Sequence, residues 1–99
     1  MNPEMYIGMN GTKVWEINGH YHREDGPAIE WHDGSKSWYL NGQLHRIEGP
    51  AYEDEKANPN QLQYGNRWYL KGKALTQQQH QMITMFNEVH ITTIKEQQE

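Results

Sequence analysis

The chain has 99 residues, a formal net charge of −4 from 9 Lys plus Arg and 13 Asp plus Glu, and no cysteine. This length allows one thin core, and the lack of cysteine excludes disulfide scaffolds, Cys-ligated zinc and a thiol nucleophile. No apolar run approaches the ~20 residues that cross a bilayer and the first residues form no basic, apolar leader, so we expect one cytoplasmic domain over residues 1–99.

The first predicted elements are a short strand and a turn. Residues 5–9 precede Asn10-Gly11, a dipeptide that favours a β-turn because Asn and Gly tolerate positive φ at little cost. We therefore expect a strand over 5–9 at the start of a sheet.

Residues 10–32 and 33–55 are two copies of one 23-residue unit. Aligned at a shift of 23, they agree at 11 of 23 positions. A third, shortened copy begins at Gly65, and the polar stretch 55–64 before it is predicted to be a surface loop. The identical positions are Gly11/Gly34, Lys13/Lys36, Trp15/Trp38, Asn18/Asn41, Gly19/Gly42, His22/His45, Arg23/Arg46, Gly26/Gly49, Pro27/Pro50, Ala28/Ala51 and Glu30/Glu53.

Each unit contains dipeptides that are typical of two-residue type I′ hairpin turns. Aromatic and β-branched residues flank them, as strands favour. Around Asn41-Gly42, Tyr39 should lie opposite Leu44. The fold class is therefore predicted to be mainly β, an antiparallel hairpin meander of about three 23-residue repeats over 5–75. The predicted turns are Asn18-Gly19, Asp33-Gly34, Asn41-Gly42 and, with a weaker signal, Lys71-Gly72.

The predicted turns also assign residues to the two sheet faces. A two-residue turn at Asp33-Gly34 places Ile29 opposite Trp38 and Glu30 opposite Ser37, and opposed residues share a face. One face is then the expected core, and the other is mixed and open to a partner. The expected core face carries Trp15, His22, Ile29, Trp38, His45, Tyr52, Trp68 and Leu75. The other face carries Glu16, Tyr21, Glu30, Ser37, Tyr39, Leu44 and Arg46.

From Thr76 the periodicity becomes helical. Thr76 and Gln79 fit a capping box, and the apolar spacing that follows predicts one C-terminal amphipathic helix over 76–96. The helix either covers an open face of the sheet or binds a partner or a second copy. The residues of the apolar stripe are Met82, Met85, Phe86, Val89 and Ile94, and the first four are the candidate contact residues.

The unit resembles a known repeat family. The pattern Trp-x-x-Asn-Gly-x-x-His at 15–22 and 38–45, followed by Gly-Pro-Ala, resembles a divergent MORN-type repeat, as in small uncharacterised bacteriophage and bacterial proteins. The resemblance covers about 10–75, although Arg23 and Arg46 stand where that family usually has Gly. It implies an elongated hairpin meander used as an interaction scaffold, with no catalytic residues.

The histidines do not make a recognisable metal site. His20 and His22 share a strand, but no third or fourth ligand stands at a recognisable spacing. His22 and His45 are instead predicted to pack on an indole and to hydrogen-bond to backbone, and His80 and His90 are expected to be solvated. Since no acid, base or nucleophile stands outside the repeat, we expect no enzyme, no metal and no cofactor. The absence of Lys and Arg clusters speaks against nucleic acid and membranes as partners.

Trp31 is a tryptophan that the repeat does not require, since Asp54 is its equivalent in the next copy. It is a candidate contact residue, and its alternative role is packing against the N-terminal strand or the helix. Arg23 and Arg46 either pair with neighbouring carboxylates or grip an anionic ligand. The candidate binding residues are Tyr21, Arg23, Trp31, Tyr39, Leu44 and Arg46.

The leading functional prediction is a non-enzymatic protein–protein interaction module that binds a host or self protein. The repeat resemblance narrows this to a phage-encoded inhibitor or modulator of a host defence protein in the host cytoplasm. One alternative is a protein that sequesters an anionic, nucleotide-like ligand through His20, Arg23, Trp31 and Arg46. Another alternative is a self-assembling homo-oligomer held by Met82, Phe86 and Val89.

Overall fold

The computed structural model describes residues 2–56 and 65–86. The described residues form ten short strands in antiparallel pairs and one helix, α1, over 77–86. The predicted fold class, mainly β with a C-terminal helix, is confirmed. The strands are β1 Glu4–Ile7, β2 Lys13–Ile17, β3 His20–Tyr21, β4 Ile29–Glu30, β5 Lys36–Ser37, β6 Tyr39–Leu40, β7 Gln43–Leu44, β8 Tyr52–Glu53, β9 Trp68–Leu70 and β10 Lys73–Leu75.

The strands of the main sheet lie side by side, nearly in chain order. One sheet has the order β1-β2-β4-β5-β8 with β3 beside β2, and the hairpins β6–β7 and β9–β10 are paired separately. Backbone bonds join these hairpins to the strands before them. The Gly42 N–H donates to the Tyr21 carbonyl at 2.8 Å, and the Gly72 N–H donates to the Leu44 carbonyl at 2.9 Å. Each hairpin is therefore bonded through its turn glycine to the hairpin that precedes it.

Three of the predicted hairpin turns have type I′ geometry. Both central residues have positive φ at each, as a type I′ turn requires. Tyr39 lies opposite Leu44, as predicted. The φ values are 51° and 80° at Asn18-Gly19, 52° and 80° at Asn41-Gly42, and 50° and 81° at Lys71-Gly72.

The turn at Asp33-Gly34 differs from the prediction of a two-residue loop. The Trp31 N–H donates to the Ser35 carbonyl at 2.8 Å, and the Gly34 N–H donates to the Trp31 carbonyl at 3.0 Å. These bonds close a three-residue loop, 32–34, in which Gly34 takes the positive φ of 93°. The Ser35 N–H donates to the Asp33 carboxylate at 2.9 Å, which lowers the pKa of Asp33.

The N-terminal hairpin closes in the same way. The Gly11 N–H donates to the Gly8 carbonyl at 3.0 Å, so residues 9–11 form the loop and β1 ends at Ile7 rather than at residue 9. The Tyr6 hydroxyl donates to the Glu16 carboxylate across the β1–β2 pair, and this bond raises the pKa of Tyr6 to about 12.

The extra loop residue shifts the predicted pairing by one position. Ile29 lies opposite Ser37, and Glu30 lies opposite Lys36, so the predicted pairs Ile29–Trp38 and Glu30–Ser37 are wrong. Because side chains alternate along a strand, a slip of one residue moves a side chain to the other face. The tryptophan face, as we call it, carries Trp15, Glu30, Trp38, Glu53, Trp68 and Leu75. The tyrosine face carries Tyr21, Ile29, Trp31, Ser37, Tyr39, Leu44, Tyr52, Arg67 and Tyr69.

Small residues make up half of the buried apolar core. The buried apolar residues of the described chain are Ala28, Ile29, Ala51 and Trp68. Ala28 accepts a backbone hydrogen bond from the Trp15 N–H at 2.8 Å, and Ala51 accepts the equivalent bond from the Trp38 N–H at 2.7 Å. The alanine of each Gly-Pro-Ala motif therefore lies at the point where the chain re-enters the sheet, hydrogen-bonded to the backbone of a tryptophan.

Helix α1 starts at the predicted capping box. The Gln79 N–H donates to the Thr76 hydroxyl at 3.0 Å, and the Thr76 N–H donates to the Gln79 side-chain oxygen at 2.9 Å. His80, expected to be solvated, is only 3% exposed, and its Nε2–H donates to the Arg46 carbonyl at 2.6 Å. This contact places His80 against the loop that follows β7.

In contrast to His80, the large apolar side chains within residues 77–86 are exposed. Met82 and Met85 are exposed side chains, and Phe86 is exposed to a similar degree. None of the helices among the described residues has the length and apolar character that a membrane crossing needs. Residues outside the described ranges include most of the predicted loop 55–64 and the part of the predicted helix after residue 86, with Val89, His90 and Ile94.

Candidate interaction face

The tryptophan face carries a cluster of side chains around Arg23. The guanidinium carbon lies 4.0 Å from the centre of the Trp15 ring. Nη1 donates to the Pro27 carbonyl at 3.1 Å and to Glu30 at 3.2 Å, and Nε donates to Asp25 at 3.0 Å. The predicted pairing of Arg23 with neighbouring carboxylates is confirmed, and the same arginine covers an indole.

A second cluster recurs 23 residues later. The guanidinium carbon of Arg46 lies 3.7 Å from the centre of the Trp38 ring, and Nη1 donates to the Pro50 carbonyl at 3.2 Å and to Glu53 at 2.6 Å. Arg46 is therefore also paired with a carboxylate, and its partner Glu53 is the repeat equivalent of Glu30, the partner of Arg23. A groove of about 560 Å³ separates the two clusters, and its wall carries both arginines together with Glu24, Asp25 and Glu48.

The repeated histidines, His22 and His45, each accept a hydrogen bond from the turn of the next hairpin. His22 Nδ1 accepts from the Asn41 N–H at 3.0 Å, and His45 Nδ1 accepts from the Lys71 N–H at 2.9 Å. The predicted bonds to backbone are confirmed, although the group centred over each indole is an arginine. Burial, followed by Lys71 and His80, lowers the pKa of His45 and so favours the neutral ring that can accept. No group of three metal-ligating side chains occurs within residues 2–56 and 65–86.

The tyrosine face holds an aromatic groove of about 430 Å³. The groove brings together Trp31, Tyr39 and Leu44, three of the residues predicted to bind a partner. Tyr21, a fourth, extends the aromatic surface, since its ring lies 5.1 Å from that of Tyr39 at an interplanar angle of 60°. The remaining lining residues are Ser37, Tyr52, Asp54, Gly65, Arg67 and Tyr69.

Trp31 is held in place from the neighbouring strand. Its indole Nε1–H donates to the Ser37 hydroxyl at 2.9 Å, and the buried Ser37 lies on β5. The residue nevertheless stays 41% exposed, so part of the ring faces solvent. An indole that is oriented by a hydrogen bond loses little conformational freedom when a partner covers it.

Two aromatic residues of the groove, Tyr52 and Tyr69, are not among the predicted binding residues. The predicted register, which is one residue out, puts Tyr52 on the core face, whereas Tyr52 lies opposite Ser37 on the tyrosine face. Tyr69 follows Trp68 as Tyr39 follows Trp38, so an alignment of the third copy with the second identifies Tyr69 as the equivalent of Tyr39. Burial, with Tyr21 and Tyr69 nearby, raises the pKa of Tyr39, so the Tyr39 ring is neutral at physiological pH.

The predicted site residues fall on two surfaces. Arg23 and Arg46 lie in the clusters of the tryptophan face, and Trp31 lies on the tyrosine face. The residues suggested for an anionic ligand are therefore divided between the two surfaces: Arg23 and Arg46 share one groove, where carboxylates pair with both, and Trp31 lies on the other face. In comparisons with family models, with curated proteins and with solved structures, nothing matches this chain.

Proposed function

We propose that this protein is a non-enzymatic interaction module that binds another protein through the tyrosine face. The contrast between the two sheet faces carries the proposal. On the tryptophan face, arginine side chains cover two of the indoles, and their charges are paired with carboxylates. On the tyrosine face, partly exposed rings line a shallow groove. Tyr and Trp are the side chains that most often dominate binding energy in protein interfaces.

The chemistry of the groove favours an apolar segment of a protein as the partner. Its lining combines aromatic rings and Leu44 with the opposite charges of Asp54 and Arg67. A polyanion would require a cluster of basic side chains, and among the residues that the structure describes Arg67 is the single basic residue lining the groove. The narrower proposal, a phage-encoded inhibitor of a host defence protein, rests on the repeat resemblance alone.

Affinity capture with matched variants tests this proposal. Tyr39→Ala removes a central ring of the groove, and Tyr21→Ala removes a ring at its exposed end. Gln43→Ala is the control, because Gln43 is exposed and precedes Leu44 on β7, so that it points to the opposite face. Thermal unfolding of all three variants establishes that they are folded.

We expect one stoichiometric partner to co-purify with the wild type and with Gln43→Ala. Capture should fall by about tenfold or more with Tyr39→Ala, since a hot-spot aromatic contributes about 2 kcal/mol or more. Equal capture by Tyr21→Ala, Tyr39→Ala and the wild type would refute the tyrosine face as the binding surface.

A further inference from the structure

Among the residues that the structure describes, the outer edge of β1 is a free sheet edge. β1 ends the six-stranded sheet, and within residues 2–56 and 65–86 its hydrogen-bonded strand partner is β2 alone. Met5, Tyr6 and Ile7 are 48%, 49% and 57% exposed. Edge strands are usually protected by charged side chains, proline or a covering segment. In β1 the single charged residue is Glu4, at its first position.

The hydrogen-bond pattern defines which backbone groups of β1 point outwards. The Gly8 N–H donates to the Thr12 carbonyl at 2.8 Å, and bonded and non-bonded pairs alternate along an antiparallel ladder. Tyr6 is therefore the next residue that bonds to β2. Met5 and Ile7 occupy the non-bonded positions, so their N–H and C=O groups point away from β2 and towards the free edge.

We infer that β1 pairs antiparallel with β1 of a second copy about a twofold axis at Tyr6. In this register Met5 lies opposite Ile7 of the second copy and Tyr6 lies opposite its own equivalent. Every outward N–H and C=O group of Met5 and Ile7 then has a partner. The two apolar side chains meet on one face, and Glu4 lies opposite Gly8 rather than opposite another carboxylate.

The edge is complementary to itself, which favours a second copy over a different protein. A twofold contact uses the same patch on both subunits, so each residue must suit its opposite. The outward positions Met5 and Ile7 are spaced symmetrically about Tyr6, as this register requires. Paired residues share a sheet face, so the two tyrosine faces lie on the same side of the joined sheet. The inference is independent of the proposed function, and it would make the interaction module bivalent.

Disulfide formation tests the register directly, because the natural chain has no cysteine. A non-bonded antiparallel pair has its Cα atoms about 4.5 Å apart, which lies within the range of a disulfide. Tyr6→Cys should therefore form a covalent dimer under mild oxidation. Met9→Cys is the control, since Met9 is fully exposed in the adjacent loop and lies away from the axis. Dimer formation no faster for Tyr6→Cys than for Met9→Cys would overturn the inference.

Sedimentation equilibrium of cysteine-free protein gives an independent readout. We expect the wild type and Met9→Lys to dimerise reversibly, and Ile7→Lys to weaken the dimer by about tenfold, since a lysine on an edge strand opposes pairing. A wild type that remains monomeric at the highest concentration reached would overturn the inference. A dimer that Ile7→Lys leaves unchanged would also overturn it, because it would have to form through another surface. Loss of partner capture by Tyr39→Ala affects neither outcome.

Discussion

The guanidinium carbon of Arg46 lies 3.7 Å from the centre of the Trp38 indole. Arg46 belongs to the loop that connects β7 to β8. The same arginine bonds to the Pro50 carbonyl and to Glu53, so one side chain closes the loop over the ring. The cluster around Arg23 repeats these contacts. This arrangement accounts for the recurrence of Trp, Arg and Glu at constant spacing in the sequence, since each acts through its side chain.

Replacement of Arg46 should destabilise the fold. Arg46→Ala removes a cation–π contact, a hydrogen bond to a carbonyl and a partly buried ion pair, and we expect the free energy of unfolding to fall by about 2–3 kcal/mol. Arg46→Lys keeps the charge but loses the planar stacking and the fork of donors, and we expect a loss of about 1 kcal/mol. Urea denaturation measures both variants. Lys73→Ala, at an exposed position of β10, is the control and should change stability by less than about 0.5 kcal/mol.

His80 should anchor the helix to the sheet. His80→Ala leaves the Arg46 carbonyl without its donor and opens a gap under α1, at a cost of about 1–3 kcal/mol. Hydrogen exchange over 77–86 should accelerate, whereas Gln81→Ala at the adjacent exposed position should leave it unchanged. Unaltered exchange in His80→Ala would mean that the helix is held by other contacts.

Stability should fall on mild acidification through His45. The pKa of His45 in the folded state lies below the value of 6.5 that applies to the unfolded chain, so the unfolded state binds the proton first. The contribution is present above pH 6.5 and is lost as the pH falls from there through the folded-state pKa. His45→Asn, which retains an acceptor near the Nδ1 position but does not titrate, should flatten the pH profile of unfolding below pH 6.5. An unchanged slope in this variant would contradict the assignment.

A β-carbon at Gly42 should be poorly tolerated. Gly42 has a φ of 80°, and an added Cβ would lie 3.0 Å from Nδ1 of His20. Gly42→Ala should therefore cost about 1–2 kcal/mol in the free energy of unfolding. Gly8→Ala is the control, because the closest atom to its added Cβ is at an ordinary 3.5 Å. Equal melting temperatures for the two variants would count against a type I′ turn at Asn41-Gly42.

Local turn chemistry determined the part of the fold that was predicted correctly. An Asn-Gly pair favours two successive positive φ values and therefore a two-residue turn. The pairing of Tyr39 with Leu44 follows from the turn at Asn41-Gly42 alone. Asp33-Gly34 carries a similar signal, but its glycine takes the positive φ alone and the loop has three residues. This one extra loop residue puts Ile29 and Glu30 on the sheet faces opposite to those predicted. The resemblance to MORN-type repeats remains a prediction.

The sequence by itself determined the repeated unit, its hairpins and the helix start, because each depends on neighbours within a few residues. Only the tertiary structure decided that Glu30 joins the tryptophan face, that Tyr52 and Tyr69 join Trp31 in one groove, and that His80 is buried. These outcomes depend on the register between strands and on contacts between distant segments. A single extra loop residue changes the register, and no local pattern reveals which distant carbonyl a histidine will meet.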